Sequence, residues 1–226
     1  MRLVTFKRVY DQVLRRVGLD PADAGFSAVR QEFVADAISM RCKEGWEWDF
    51  WPELSLVEER TPVSGLVAYE QSGQTQLGEV MGIWTANPET SMTTARSYSV
   101  VMTASGAQIM DTAVGATVFV KFRRRPSRFT RVAFDGAASY ADGDLMYYAT
   151  TGECYQAQSS EWVMMPFPDL LEQFVVWTAA ADYLRDTSQH EKADEHEGRG
   201  YELLEKQHQK TFAQQGMFRG AAVRVE

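Results

Sequence analysis

The sequence predicts an α+β fold: N- and C-terminal helices forming a helical bundle, with a central antiparallel β-sheet or sandwich and a small β-rich insertion. Three observations predict it. Apolar residues recur at helical spacing near both ends of the chain. The middle alternates with period two between turn-rich stretches such as Ser72–Gly73, Asn87–Pro88 and Ser105–Gly106. Residues 135–166 are dense in Tyr, Gly and Asp and read as two or three very short strands.

The elements follow in order. Phe6, Tyr10, Val13, Leu14 and Val17 form one helical face, which Gly18 and Asp20–Pro21 end. Ser27 is a plausible N-cap for a second helix carrying Phe33, Val34, Ala37, Ile38 and Met40 toward Trp46. Pro52 then stops the helix in the segment GWEWDFWPEL, read as a core corner where helix turns into sheet. Strands are expected near Leu54–Val57, Glu79–Trp84, Tyr98–Met102 and Val118–Arg123, with a long hairpin or loop over 64–78. In the last strand Val118, Val120 and Phe122 point one way, and Phe119, Lys121 and Arg123 the other. After Pro166 and Pro168, Asp169 can cap a helix whose stripe is Leu171, Phe174, Val175, Thr178, Ala181 and Leu184. A charged helix over roughly 189–214 follows, with only Leu203, Leu204 and Phe212 as large apolar residues, so one face packs and the rest meets solvent or a neighbouring subunit. Gly198 and Gly200 weaken it, and both are read as permitting close approach of another element. The predicted organisation is 1–52 with 167–215 helical, 53–134 antiparallel β, 135–166 an aromatic-rich insertion, and 216–226 an extended tail.

At 226 residues and 45% apolar composition, the chain can bury a core without metal or disulfide help. Cys42 and Cys154 are far apart and form no CxxC. The net charge of -8 argues against a dedicated nucleic-acid grip, though not against a wall that surrounds DNA without holding it. The N-terminus lacks the apolar run of a signal peptide, and no window approaches a membrane span, so a soluble protein with no membrane partner is expected.

Catalytic patterns are absent from the sequence. No HExxH, Walker A, GxGxxG after a strand, or GxSxG occurs. His190, His196 and His208 lack the i, i+4 spacing of helix-borne metal ligands, and read as solvated. Glu58 and Glu59 sit on a strand and point to opposite faces. The expectation is therefore a non-enzyme with no cofactor, no metal and no catalytic residues. Two other features remain. Arg123, Arg124, Arg125 and Arg128 concentrate positive charge; they read either as a protected strand end or as a contact with a partner's acidic surface or with DNA. In the insertion, Tyr140, Gly143–Asp144, Met146–Tyr147, Tyr155 and Trp162 form a pattern that resembles small chitin-type carbohydrate-binding modules. The spacing from Tyr155 to Trp162 is shorter than usual there. The resemblance implies sugar contacts by Tyr140, Tyr147, Tyr155 and Trp162; the alternative is a mini-domain core made of the same rings.

Over nearly its whole length the chain resembles the head–tail adaptor (connector or neck) proteins of tailed bacteriophages. The stretches that carry the resemblance are WEWDFWPELSLVEERTP, GEVMGIWTANP, TASGAQIMDTAVGATVFVKFRRRPSRF and the C-terminal run from MPFPDLLEQF to KTFAQQG. No single motif is diagnostic; the order of the matches is. The resemblance implies a structural virion protein made in the host cytoplasm and placed in the neck, between capsid and tail. It implies a homo-oligomeric ring, typically of twelve copies, docked on the portal protein and followed by the next neck or tail protein. DNA would pass through the lumen without specific binding. Phe212, Gln214, Gln215, Met217, Phe218 and Arg219 are the residues expected to engage the portal, the two aromatics as anchors. The competing readings are a carbohydrate-binding virion accessory and a tail-completion or stopper protein of the neck.

Overall fold

The computed structural model describes residues 2–22, 26–49, 51–68, 77–104, 106–111, 117–158 and 161–221, and the side chains of these except Leu77, Asp111, Phe212 and those from Gln214 onward. It is a mixed α+β fold in which N- and C-terminal helices flank several small antiparallel sheets. The chain divides into two compact units, residues 1–51 with 126–226, and residues 52–125. The sequence reading placed these boundaries at 134/135 and 166/167. Residues 126–166 instead belong with the helices.

In the helical unit, a two-residue strand β1 (Leu3–Val4) leads into α1 (Phe6–Arg16). Thr5 caps α1, its hydroxyl accepting from the Arg8 N–H at 3.3 Å. Arg15 and Arg16 in the last turn favour the negative end of the helix dipole. Phe6, Val9, Tyr10, Val13 and Leu14 are buried, on the stripe the spacing predicts. Gly18, in the left-handed region at φ +80, ends the helix. Ser27 caps α2 (Ala28–Glu47), accepting from the Arg30 N–H at 3.4 Å. Val34, Ala37, Ile38, Cys42 and Trp46 are buried, but Phe33 (37% exposed) and Met40 (63%) face outward, contrary to the expected core stripe. The helix's inner face follows the 34/38/42/46 row, which holds the expected Val34 and Ile38 and leaves Phe33 and Met40 off it. At the aromatic corner Trp46 and Trp51 are buried, and the Trp51 indole N–H donates to the Gly45 carbonyl at 2.8 Å. Trp48 is 49% exposed against Tyr201, so the corner is only partly core. Phe50 lies outside the described residues.

In the second unit, β2 (Ser55–Arg60), β3 (Leu66–Ala68), β4 (Leu77–Trp84), β5 (Tyr98–Thr103), β6 (Gly106–Asp111) and β7 (Val118–Arg124) form two three-stranded antiparallel sheets, in the orders β2-β7-β4 and β3-β6-β5. Both feed one apolar cluster of Val67, Val80, Ile83, Ile109, Val118, Val120 and Phe122. The alternation expected along β7 is present, with Val118, Val120 and Phe122 inward. Glu58 and Glu59 pair across to Val120 and Phe119 and so take opposite faces; Glu58 is ion-paired with the buried Arg60. The expected 64–78 hairpin lies largely outside the described residues, which stop at Ala68 and resume at 77.

The chain then returns to the helical unit. A meander of β8 (Leu145–Tyr148), β9 (Glu153–Gln158) and β10 (Glu161–Met164) occupies the expected insertion. It is fused to α1. The Lys7 N–H donates to the Gly152 carbonyl at 2.8 Å, and Phe6 stacks on Phe129 at 5.2 Å and meets Tyr147 edge-on at 6.0 Å. β11 (Phe167–Pro168) pairs with β1, and a 3-10 turn over Asp169–Leu171 leads into α3 (Glu172–Asp186). Asp169 opens that turn and lies 3.5 Å from Arg2; it does not cap α3. Helix α3 is the centre of the unit, with Phe174, Val175, Val176, Ala179, Ala180 and Tyr183 buried, and α1, α2 and α4 (His190–Ala221) all pack on it.

Helix α4 was expected to stop near 214 and be followed by an extended tail. Its backbone remains helical to Ala221. Ala213, Gln214, Gln215 and Met217 are good helix formers, and Gly216 and Gly220 do not outweigh them. Of the two glycines, only Gly200 meets α3: a Cβ there would lie 2.5 Å from Thr178 Cγ2, whereas Gly198 faces open space.

Candidate functional site

Helix α4 is attached along a narrow seam. Among its described side chains the buried positions are Ala193, Gly200, Leu204 and Thr211, a spacing of seven, four and seven that stays on one line of the helix. Polar contacts do the rest of the fastening. Arg41 of α2 binds Asp182 of α3 through two nitrogens, at 2.8 and 2.6 Å, and reaches Glu197 of α4 at 2.8 Å and Glu44 at 2.8 Å. Arg185 of α3 joins the same group through Glu197 at 2.5 Å and Asp194 at 2.9 Å. Tyr201 of α4 donates to Glu44. These carboxylate partners push the Arg41 and Arg185 guanidinium groups further toward the charged form. The Arg185 hydrogen bond, followed by the charges of Arg41 and Arg185, holds the Glu197 carboxyl below its ordinary range against the opposing effect of burial. At the other end Glu172, almost fully buried, receives Arg8 at 2.7 and 3.1 Å and Gln12 at 2.7 Å, which clamps α1 to α3.

A groove of about 530 Å³ opens beside this seam, between the start of α3 and the distal part of α4. Phe174 and Leu203 form its floor, and Gln173, Lys206 and Lys210 its rim. The expected portal-binding residues lie just beyond. Phe212, Gln214, Gln215, Met217, Phe218 and Arg219 have helical backbone in α4, and their side chains fall outside the description.

The second candidate surface is aromatic. In the meander, paired residues share a face: Tyr148 opposite Glu153, Met146 opposite Tyr155 and Met164, and Ala157 opposite Trp162 make one face. Tyr147 and Cys154 lie on the other, which is turned to the helices. On the outer side Phe134, Tyr148 and Trp162 are 38%, 40% and 36% exposed. Tyr140 lies 5.0 Å from Trp162 edge-on and stacks on Phe134 at 5.8 Å. Phe134 meets Tyr148 at 6.1 Å and Trp162 at 5.9 Å. The Tyr140 hydroxyl accepts from the Asp135 N–H at 2.8 Å, which fixes the ring in its loop.

Of the four sugar-contact residues predicted from sequence, Tyr140 and Trp162 are brought together. Tyr155 is half-buried on the outer face of the meander, its hydroxyl 3.5 Å from that of Thr151. Tyr147 is buried among Phe6 and Arg131, whose guanidinium lies 4.2 Å from its ring centroid and 4.5 Å from that of Tyr10. It cannot present a ring to a ligand. Sequence reasoning missed Phe134 and Tyr148. In LMYY adjacent tyrosines must face opposite ways, and that alternation was the available signal; only the strand register says which one is outside.

In the basic run, Arg123 and Arg124 take opposite faces of β7, and Arg123 lies 3.8 Å from Glu79. Arg125 and Arg128 are exposed.

Among the histidines, His190 is exposed, His196 bonds the Lys192 carbonyl at 2.9 Å, and His208 is half-buried, 2.5 Å from Asp49 and edge-on to Trp51. Only His190 therefore fits the expected solvated state. Both cysteines are free and buried. Burial pushes the Cys42 thiol up, and the Cys154 thiol to about 12. Among the described residues no group of three or more His, Cys, Asp or Glu is placed to hold a metal, and no helix is long and apolar enough to cross a membrane. A scan against protein-family models and a search of curated proteins each returned no match to the chain.

Proposed function

We propose that the chain is a structural subunit of a tailed-bacteriophage neck: a head–tail adaptor that forms a homo-oligomeric ring, docks on the portal through its C-terminal segment, and lines the passage for DNA. The observation that carries this reading is the attachment of α4. Among its described side chains, this 32-residue helix has four buried positions, the last at Thr211, and its backbone runs on as helix for ten residues beyond. A helix with so little private burial gains most from a neighbour. The resemblance of the stretches quoted above to head–tail adaptors supports the portal as that neighbour. The net charge of -8 favours a lumen that repels phosphate over one that binds it. No catalytic step, cofactor or metal is part of this role.

The test is a truncation. Deleting 212–226 leaves the described buried positions of α4, Ala193 to Thr211, in place; the expected outcome is a fold that survives by circular dichroism while portal capture is lost. Equal capture by the truncated protein contradicts the assignment.

A second reading has its own observation. The ring cluster Phe134, Tyr140, Tyr148 and Trp162 is partly open on the outer face of the meander and could stack on the apolar face of a sugar. A carbohydrate-binding accessory role would make this cluster, and not α4, the working part. Retention of a soluble polysaccharide by the full chain, lost in Trp162→Ala, favours it.

A further inference from the structure

The sheet β3-β6-β5 has a core face that runs past its cover. Cross-strand pairing sets Val100 opposite Ile109, and Ile109 opposite Val67, so the three share one face. Ile109 and Val67 are buried in the cluster of the second unit, and Tyr98 packs against it. Two and four residues further along β5, Val100 is 48% exposed and Met102 79%. Both lie on the side that should be inside. β5 is also an edge: among the described residues β6 is the only strand that pairs with it, and β4 meets only its start, where the Arg96 N–H donates to the Ile83 carbonyl at 2.8 Å and the Tyr98 hydroxyl to the Val80 carbonyl at 2.9 Å.

Exposed edges are usually blunted by charge, proline, a bulge or short length. The residues of β5, Tyr98–Thr103, include no charge, proline or glycine, and their register with β6 is unbroken over six pairs. The other edges differ. β2 carries Glu58, Glu59 and Arg60, β10 starts with Glu161, β4 contains Glu79 and two register shifts, β3 has three residues, β1 and β11 have two, and β8 is bridged on its outer side by Ala133 at Tyr147.

We infer that β5 is a self-association edge, pairing antiparallel with β5 of a second copy about a twofold axis at Val100. This register follows from the strand itself. Thr103 and Gly106 close the β5–β6 hairpin, so alternate residues of β5 bond inward to β6 and the others turn their N–H and C=O to the open edge. Taking Thr103 as an inward residue, the outward set is Tyr98, Val100 and Met102. Centring on Val100 sets Val100 opposite its own copy and Tyr98 opposite Met102 of the second copy. The outward backbone groups pair, and the same three side chains make a shared apolar row covering Val100 and Met102 on both copies. A thioether against an aromatic ring is a favourable contact. The occupant is a second copy because the edge is self-complementary, and because each copy carries -8: contact along an uncharged strand sets no like charges face to face within the paired segment. The result is a continuous six-stranded sheet. This inference does not depend on the proposed neck function. A twofold contact does not build a ring of adaptors, so the pair would describe the protein before docking.

The test is sedimentation of the full chain over a wide concentration range, with the variant Val100→Lys/Met102→Lys alongside. Both positions are exposed, so the variant's circular dichroism should match that of the wild type, and its melting should match at concentrations low enough for both to be monomers. The expected result is a reversible dimer for the wild type and a monomer for the variant. A second measurement keeps the register testable if the variant fails to fold. Val100→Cys should be captured as a dimer by a short thiol crosslinker, because the two sulfurs face each other, and Met92→Cys, at an exposed position away from β5, should not. A wild-type monomer at every concentration, an assembly that the double variant leaves intact, or equal crosslinking of Val100→Cys and Met92→Cys overturns the proposal.

Discussion

Arg41 on α2 holds Asp182 on α3 in a two-point contact, Nε to Oδ2 at 2.8 Å and Nη2 to Oδ1 at 2.6 Å, and the same guanidinium reaches Glu197 on α4. One side chain therefore joins three helices. Arg41→Ala removes the cation shared by Asp182, Glu197 and Glu44 in a partly buried site, leaving Arg185 to serve Asp182 and Glu197 alone, and should cost about 3 kcal/mol of unfolding free energy in urea. Arg41→Lys should recover only part, since an ammonium cannot reproduce the fork. A loss under about 1 kcal/mol for the alanine variant, the size typical of a surface pair, would show that the network is not a fastening.

Acid should loosen the same junction. The Glu197 carboxyl is depressed in the folded state, so its contribution is fully present above the ordinary carboxylate range and is lost as pH falls through its folded value. Stability measured by urea midpoint should therefore decline below about pH 4, and Glu197→Gln should flatten the decline. An unchanged slope in that variant contradicts the assignment.

Two glycines two residues apart on α4 should respond to alanine with opposite signs. A Cβ at Gly200 would lie 2.5 Å from Thr178 Cγ2, so Gly200→Ala should force α4 off α3 and lower the melting temperature. Gly198 faces open space, and Gly198→Ala should stabilise by up to about 1 kcal/mol through helix propensity alone.

Neighbouring tyrosines in β8 separate fold from surface. Tyr147→Ala empties a site packed against Phe6 and Arg131 and should cost about 3 kcal/mol or more. Tyr148→Ala, on the exposed side, should cost less than about 1 kcal/mol. Denaturant midpoints of the two variants check the strand register directly.

Both thiols should be silent in the folded protein. Cys42 and Cys154 are buried, and burial raises both above the ordinary thiol range. A thiol reagent should react at the rate of unfolding, with both sites becoming available together in denaturant.

How much of this was legible in the sequence varies by element for physical reasons. α1 was readable because its stripe, its Gly18 end and its burial all agree, although its Thr5 cap was not read from the sequence. α3 was readable as a stripe but is buried nearly all round, since three helices cover it, and the covering helices are not visible in its own residues. The meander was visible as short strands and turns. Its union with α1 was not, because Phe6–Phe129 and Lys7–Gly152 join segments over a hundred residues apart. The candidate surface was half legible for a related reason. Aromatic content marked the region, but only register decides that Tyr147 is core and Tyr148 is surface. The ion network was not foreseen at all. Its members are scattered over 41–44, 182–185 and 194–201, each ordinary for a charged helix face.

The most direct test of the proposed neck function is to mix the full-length protein with its cognate portal ring and record the mass and symmetry of the product. The account predicts a stoichiometric complex that follows the portal's rotational symmetry, with the segment from Phe212 onward becoming protected from protease. A folded protein that leaves the portal ring unchanged in mass would contradict it.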